Sequence, residues 1–131
     1  MPEAEVSDAE LTFLRELRRL RVRFMVVGMS AAIIQGAPSV TEDLDLWFPS
    51  LSDLNIDVAA RKAGGILAGR ASPPTLSGRD LDHIDLVTRC DGLRSFDSEY
   101  VHAKDAKIFD VTVKALPIER VIASKRAANR P

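Results

Sequence analysis

Three aspartates occupy short apolar segments of this chain, and their spacing predicts that they act together. Asp43 and Asp45 alternate with leucines in the segment Thr41–Trp47, so a strand there would present both carboxylates on one face. Asp85 lies in a second strand-like segment, His83–Thr88. If the two strands are neighbours, the three carboxylates converge at one end of a sheet. Oxygen ligands of this kind suit a hard divalent cation, Mg²⁺ or alternatively Mn²⁺.

The chemistry that such a site serves is phosphoryl transfer. Mg²⁺ usually takes few protein carboxylates and completes its coordination with water and substrate phosphates. Two such ions can hold both the attacking and the leaving oxygen of an in-line displacement. Asp43 and Asp45 would then be shared metal ligands. Asp85 would lie nearest the attacking hydroxyl and help to remove its proton, so all three are predicted as catalytic residues and metal ligands.

A complementary phosphate-binding segment precedes the aspartates. The apolar run 24–27 predicts a buried strand, Gly28-Met29-Ser30 predicts a turn, and 31–35 predicts a short helix. Glycine lets the backbone approach a phosphate closely, and a helix N-terminus offers free N–H groups. The Ser30 hydroxyl would add one donor; a simple helix-capping role for Ser30 is the compatible alternative.

This succession of parts resembles the nucleotidyltransferase superfamily that shares the fold of DNA polymerase beta. The signature of that superfamily maps here onto Gly28 and Ser30, then Asp43 and Asp45, then Asp85. More narrowly, the segment VVGMSAAIIQGAPSVTEDLDLW resembles small bacterial nucleotidyltransferase-like proteins related to abortive-infection toxins. The resemblance implies a single minimal nucleotidyltransferase-like domain over residues 1–131.

The C-terminal part of the chain extends the resemblance. HIDLVTRCDG surrounds the third carboxylate, and LPIERVIASKRAANRP follows near the end. In such relatives the closing helix carries a lysine and an Arg-Pro-Lys-Asp follows, so Lys125 and Arg130 are expected to bind the nucleotide. The alternative for Lys125 is an ordinary surface residue. Met29 departs from the family, since many members have a second glycine there, and this sequence ends at Pro131 where relatives usually continue.

The resemblance implies an enzyme. With Mg²⁺ it would transfer a nucleoside monophosphate from an NTP to a protein, tRNA or small-molecule acceptor, releasing pyrophosphate. It would be the toxin of a toxin–antitoxin pair, with an antitoxin or another protein as partner. One alternative is a catalytically idle module that binds a nucleotide or a protein partner, which the Met29 departure favours. Another is a metal-dependent phosphohydrolase, for which water would be the acceptor.

Composition limits the remaining classes. The 131 residues, 46% hydrophobic and 28% charged, are typical of one ordinary globular domain with a real core. A net charge of −1 gives no case for strong non-specific nucleic-acid binding. Cys90 is the single cysteine, which excludes an internal disulfide and a cysteine-based zinc site. No signal peptide or membrane span is expected, and a cytoplasmic setting fits best.

The expected fold class is α/β (α+β), a short mixed sheet flanked by helices. Helices are predicted over 8–20 behind a Ser7 capping box, 53–62 behind a Ser52 cap, and 95–103, with a closing helix from Leu116 through Lys125 toward Asn129. The remaining strand is predicted over 107–114, and 69–79 is predicted as a long loop. The first helix carries a basic face, Arg15 to Arg23, for which a solvated surface is favoured over an RNA or triphosphate patch.

Overall fold

A computed structural model describes residues 6–68 and 74–128. The described residues form five helices and seven strands, in the chain order α1 (Asp8–Arg19), β1 (Met25–Val27), α2 (Gly28–Ile34), β2 (Leu44–Trp47), α3 (Leu54–Lys62), β3 (Gly65–Ala68), β4 (Thr75–Gly78), β5 (Ile84–Val87), α4 (Phe96–Tyr100), β6 (Lys104–Ile108), β7 (Val111–Ala115) and α5 (Ile118–Ala127). None of these helices is long and apolar enough to cross a membrane.

The sheet is mixed, as the sequence predicts. Its strand order is β5-β2-β1-β7-β6, and β3 and β4 form a separate two-stranded sheet. Strand β1 pairs antiparallel with β2 and parallel with β7, while β2 pairs parallel with β5. The predicted fold class, a short mixed sheet flanked by helices, is confirmed. Strand β2, which carries Asp45, therefore lies between β5, which carries Asp85, and β1, which leads into α2.

The core is built from the apolar face of α1 and the central strands. Phe13, Leu14 and Leu17 of α1 are fully buried, as are Met25 of β1 and Leu46 of β2. Burying one such side chain contributes roughly 1.5–3 kcal/mol, so this contact holds α1 firmly on the sheet. The predicted capping box is present, since the Ser7 hydroxyl accepts from the Glu10 backbone N–H and the Glu10 carboxylate accepts from that of Ser7. The first helix is confirmed to within one residue.

Two boundaries near the aspartates differ from the prediction. Strand β2 begins at Leu44, so the predicted placement of Asp43 on the strand is wrong. The Asp43 N–H donates to Thr41 Oγ1 at 3.2 Å, and the sheet ladder starts with the Leu44 N–H to the His83 carbonyl at 2.7 Å. A local side-chain acceptor thus competes with the sheet for the Asp43 backbone.

The predicted turn before α2 is also absent. Helix α2 begins at Gly28, directly after β1. Gly28 has φ +64°, a left-handed conformation that glycine adopts readily. The chain therefore passes from strand to helix at a single residue, and Gly28, Met29 and Ser30 form the first turn of α2.

Other predictions fail where long-range pairing decides the structure. The segment 107–114 is a hairpin of β6 and β7 rather than one strand, with Phe109 at φ +54° in its turn. The predicted loop 69–79 contains strand β4, although residues 69–73 lie outside the described part. The cap of α3 is Asp53, whose carboxylate accepts from the Asn55 N–H at 2.9 Å, and not Ser52.

The C-terminal predictions fare better. The predicted short helix near 95–103 corresponds to α4, and the closing helix to α5. The predicted extension of α5 toward Asn129 lies outside the described residues.

The basic face of the first helix is paired with acidic side chains. Arg15 pairs with Asp110, Arg19 with Glu16 and Arg23 with Asp97, which supports the solvated-surface interpretation of this face.

Candidate functional site

Asp45 and Asp85 are direct neighbours in the sheet. They face each other in the register of the parallel pair β2–β5. Residues in register on adjacent strands project to the same face, with the strands about 4.8 Å apart. Asp45 is half-buried and Asp85 is exposed. The structure thus brings together the second and third of the predicted carboxylates.

A buried glutamate fixes the start of β5. Glu10 of α1 is 2% exposed, and its Oε2 accepts from the His83 N–H at 3.2 Å. Its Oε1 accepts from the Ser7 N–H at 3.0 Å. Because His83 lies two residues before Asp85, the capping box of α1 also holds the strand that carries the third carboxylate.

Ser30 fixes the backbone of Asp45. The side chain is buried, and its Oγ donates to the Val27 carbonyl at 2.8 Å and accepts from the Asp45 N–H at 3.1 Å. The hydroxyl proton is therefore used within the protein, in the bond from α2 to β1, and the bond donated by the Asp45 N–H joins α2 to β2. Ser30 has a positioning role in this geometry, and its contact with a phosphate stays a prediction.

Gly28 lies against the carboxylate of Asp45. A Cβ atom at position 28 would overlap Oδ2 of Asp45 and lie 3.3 Å from its Cγ. Only a residue without a side chain leaves room for that carboxylate. The predicted glycine and the predicted metal ligand are thus in contact, and the absence of a side chain at position 28 serves Asp45 as well as any incoming phosphate.

A cleft of about 250 Å³ opens beside this contact. Its walls come from the ends of β1 and β2, the segment after β5, and α5. Gly28, Asp45 and Lys125 all line it, and so do Arg89 and Asp91. Lys125 and Arg89 supply cationic donors for phosphate oxygens. Three residues that the sequence assigned to nucleotide or metal binding, on three separate elements, therefore border one cavity.

This chain matches no protein-family model, no curated protein and no solved structure.

The position of α5 beside the cleft follows from the chain's own contacts. Gln35 Nε2 donates to the Leu116 carbonyl at 2.7 Å, and the Leu116 N–H donates to the Val26 carbonyl at 2.9 Å. These bonds fix the segment that enters α5 and hence the placement of Lys125.

The segment after β5 is fitted closely to α5. Gly92 has φ +71°, and a Cβ atom there would overlap the Cβ of Ala127. The turn that carries Arg89 and Asp91 can therefore pack directly on the last turn of the helix that carries Lys125. This packing places the segment that carries Arg89 beside the helix that carries Lys125.

Cys90 lines the same cleft but is not a nucleophile. Burial, followed by the nearby carboxylates of Asp45, Asp91 and Glu99, raises the pKa of its thiol to about 12. The thiolate is the reactive form of cysteine. The side chain therefore acts as a small, half-buried apolar group, as its sequence context indicates.

Asp43 is separate from the other two carboxylates. It lines a different, narrow cavity of about 30 Å³ together with Ser30, His83 and Ile108. Within residues 6–68 and 74–128, no three His, Cys, Asp or Glu side chains are close enough to hold a metal ion. The predicted convergence of three carboxylates is thus reduced to the pair Asp45–Asp85.

The paired carboxylates fit Mg²⁺. This ion is usually bound through one or two carboxylates together with substrate phosphates and water. Asp45 and Asp85 lie in register on one face of the sheet and supply two. They are the residues that would hold the ion, and a ligand role for Asp43 stays a prediction. Arg130 lies outside the described residues.

Sequence reasoning missed Arg89. It lines the cleft but is not among the predicted site residues, because a single arginine carries no specific signal. Its place four residues after Asp85, just beyond the end of a strand, was the available hint, because residues that follow a sheet strand often border a site.

Proposed function

We propose that the chain is a metal-dependent nucleotidyltransferase that binds an NTP in the cleft beside Asp45. The observation that carries this proposal is the convergence of Gly28, Asp45 and Lys125 on one cavity. These residues come from α2, β2 and α5. The sequence had assigned Gly28 and Asp45 from their chemistry and spacing, and Lys125 from the family resemblance. The strand–helix–strand arrangement around Gly28 and Ser30, with Asp85 on the neighbouring strand, supports a nucleotidyltransferase fold.

The triphosphate would contact the cationic side of the cleft. Lys125 provides three ammonium donors and Arg89 a planar guanidinium, both suited to phosphate oxygens. At the other wall, Val27 occupies the N-cap position of α2 and has no side-chain oxygen to accept from the first helical N–H groups. The carboxylate of Asp45 fills the space beside Gly28 at this wall.

The proposed reaction is a displacement at the α-phosphorus of the NTP. An acceptor hydroxyl oxygen attacks, a new P–O bond forms, and the bond to the bridging oxygen of the β-phosphate breaks. Pyrophosphate leaves with that electron pair, and the hydroxyl proton passes to the carboxylate of Asp85. Bound Mg²⁺ would neutralise charge on the phosphate oxygens. Asp45, held by Ser30 and Gly28, keeps its carboxylate beside the triphosphate.

The first test is label transfer. The chain, with Mg²⁺ and ATP labelled at the α-phosphate, is incubated with tRNA, a second protein or hydroxyl-bearing small molecules. The proposal predicts labelled acceptor and free pyrophosphate, both of which Asp45→Asn should abolish. Arg18→Ala, an exposed control on α1, should leave both unchanged. Release of free nucleoside monophosphate without labelled acceptor would instead indicate the phosphohydrolase. A toxin role and an antitoxin partner rest on the family resemblance alone. The proposed cytoplasmic setting rests on the single cysteine and on the composition of the sequence.

The separation of Asp43 from Asp45 favours one second candidate. An idle nucleotidyltransferase-fold module would bind NTP in the same cleft and fail to turn it over. The comparison of Asp43→Asn with Asp85→Asn separates the two. An enzyme that uses the observed pair loses turnover with Asp85→Asn far more than with Asp43→Asn. Tight NTP binding without any turnover of the unmodified chain at saturating Mg²⁺ would establish the idle module.

A further inference from the structure

A second cavity of about 390 Å³ adjoins the nucleotide cleft. The two share the segment Arg89–Asp91, which lines both. Trp47 and Phe96 contribute the aromatic part of the second cavity, and Arg94 contributes a further cation. Its volume lies in the range of sites for small molecules, about 300–1,000 Å³. We call it the tryptophan cavity.

Trp47 brings an unsatisfied donor to this wall. The residue is 1% exposed and packs edge-on against Phe96, with ring centroids 5.5 Å apart. Its indole Nε1 is buried and has no hydrogen-bond acceptor among the described residues. Buried indole N–H groups usually have a partner. Because Trp47 lines the cavity, its indole N–H group is a sensitive reporter of a ligand bound there.

The charge of the tryptophan cavity favours an anion. Arg89 and Arg94 are exposed, and neither forms an ion pair within the described part of the chain. Asp91 is the one carboxylate that lines the cavity. The nearest glutamate, Glu99, already accepts two hydrogen bonds from Arg120, at 3.0 and 2.7 Å. Among the described residues, the cavity is thus lined by two guanidinium groups and one carboxylate, and the nearby charge of Glu99 is shared between Arg94 and Arg120.

Arg94 is held in place at its backbone. Its N–H donates to Glu99 Oε2 at 2.9 Å, so the start of the segment that leads into α4 is fixed by the same carboxylate that binds Arg120. Arg94 therefore presents its guanidinium from an anchored position. An oxyanion bound there would meet prearranged donors, which lowers the ordering cost of binding.

We propose that the tryptophan cavity binds the oxyanion of a small-molecule acceptor, a carboxylate or phosphate group on a hydroxyl-bearing compound. The inference rests on the proposed function, because it takes the adjoining cleft as the NTP site. A compound anchored by Arg94 and Arg89 can extend along the segment that the two cavities share, toward the cleft. Its hydroxyl then attacks the α-phosphorus of the NTP, and pyrophosphate leaves as described above.

The single tryptophan makes the test specific. The chain contains one Trp, so its indole N–H gives one resonance in a ¹⁵N–¹H spectrum. Glycerol 3-phosphate, 3-hydroxybutyrate and glycerol are titrated in turn, without nucleotide or Mg²⁺. The proposal predicts a saturable shift of the indole resonance with one or both anions and none with glycerol. Which anion binds tighter identifies phosphate or carboxylate as the anchor.

Paired variants separate this site from the nucleotide cleft. Arg94→Ala should weaken the anion at least about tenfold, the loss expected for one charge-assisted hydrogen bond, and Arg94→Lys should restore part of it. Lys125→Ala and the control Arg18→Ala should leave anion binding unchanged. NTP binding should weaken with Lys125→Ala and stay unchanged with Arg94→Ala. A failure of this proposal can therefore be told from a failure of the proposed NTP site. No indole shift with either anion, or a shift only with an oligoribonucleotide, would overturn the proposal.

Discussion

Gly28 and the carboxylate of Asp45 occupy the same small space, because a Cβ atom at position 28 would overlap Oδ2 of Asp45. The contact joins the strand-to-helix transition of β1–α2 to the acidic strand β2. Any larger residue at position 28 would displace the Asp45 carboxylate, although the two positions are seventeen residues apart in the sequence. The cleft depends on this contact, and so do the predictions that concern Asp45.

Replacing Gly28 by alanine should damage both stability and ligand binding. The left-handed backbone costs an alanine roughly 1–2 kcal/mol, and the overlap with Asp45 adds to it. The matched control is Gly64→Ala, at φ +89° with no heavy atom within 4 Å of the added Cβ. Both variants should unfold at lower denaturant, and Gly28→Ala alone should lose NTP binding. Equal NTP binding by the two variants would contradict the role given to the contact.

Removing the Ser30 hydroxyl should loosen Asp45 from α2. Ser30→Ala leaves the Val27 carbonyl and the Asp45 N–H without their shared buried partner, at a cost of about 1–3 kcal/mol. The exposed control Ser52→Ala should change the free energy of unfolding by less than about 0.5 kcal/mol. Urea unfolding of the three proteins measures both. If Ser30→Ala is as stable as the parent, the hydrogen bonds assigned to this hydroxyl are not formed.

Glu99 should make the protein sensitive to acid. The hydrogen bonds from Arg120, then the N–H of Arg94 and the charges of both arginines, lower the pKa of this carboxyl below its ordinary value of 4.5, against the opposing effect of burial. A lowered pKa means that the unfolded chain binds the proton more tightly. The stabilisation is therefore complete above about pH 4.5 and is lost as the pH falls through the folded-state pKa.

The measurement is the free energy of unfolding in urea from about pH 6 down to pH 3. Glu99→Gln should be less stable than the parent at the upper end, and the two curves should approach each other as the pH falls. An exposed control on another element, Glu42→Gln, should change the free energy of unfolding at the upper end by less than about 0.5 kcal/mol. Curves for parent and Glu99→Gln that stay parallel throughout would show that this carboxyl does not titrate as described.

Cys90 should react slowly with thiol reagents. With a thiol pKa raised from 9.0 to about 12, the thiolate fraction near pH 8 falls by roughly three orders of magnitude. Iodoacetamide labelling of the native chain should be correspondingly slow, and fast in urea. Asp45→Asn should speed the native reaction only slightly, since burial is the largest cause. Labelling of the native chain at the rate of the unfolded chain would contradict the raised pKa.

The sequence was informative wherever the decisive contacts are local. The Ser7 capping box and the apolar face of α1 are set by residues three and four positions apart, and α1 is confirmed nearly to the residue. Strand β1 and the acidic strand β2 were likewise placed correctly to within a few residues. Alternation along a strand reports which side chains share a face, and with the two acidic strands taken as neighbours it grouped Asp45 with Asp85.

Predictions failed where the outcome depends on which strand pairs with which. Asp43 is an exception with a local cause, because Thr41 Oγ1 accepts from its N–H in a competition with the sheet that alternation does not reveal. Phe109 forms the turn of the β6–β7 hairpin without any glycine or asparagine signal. The shared role of Arg89 in the two cavities depends on the packing of Gly92 on α5, which requires the folded arrangement. Such long-range contacts carry no local pattern.

The central claim is that NTP binds in the cleft bordered by Gly28, Asp45 and Lys125, and thermal unfolding tests it most directly. The midpoint is measured with each of the four NTPs, with and without Mg²⁺, because a ligand that binds the native state alone raises it. The account predicts a Mg²⁺-dependent rise with at least one NTP, lost in Asp45→Asn and Lys125→Ala and kept in Arg18→Ala. No rise with any NTP, or the same rise in Asp45→Asn, would contradict the account.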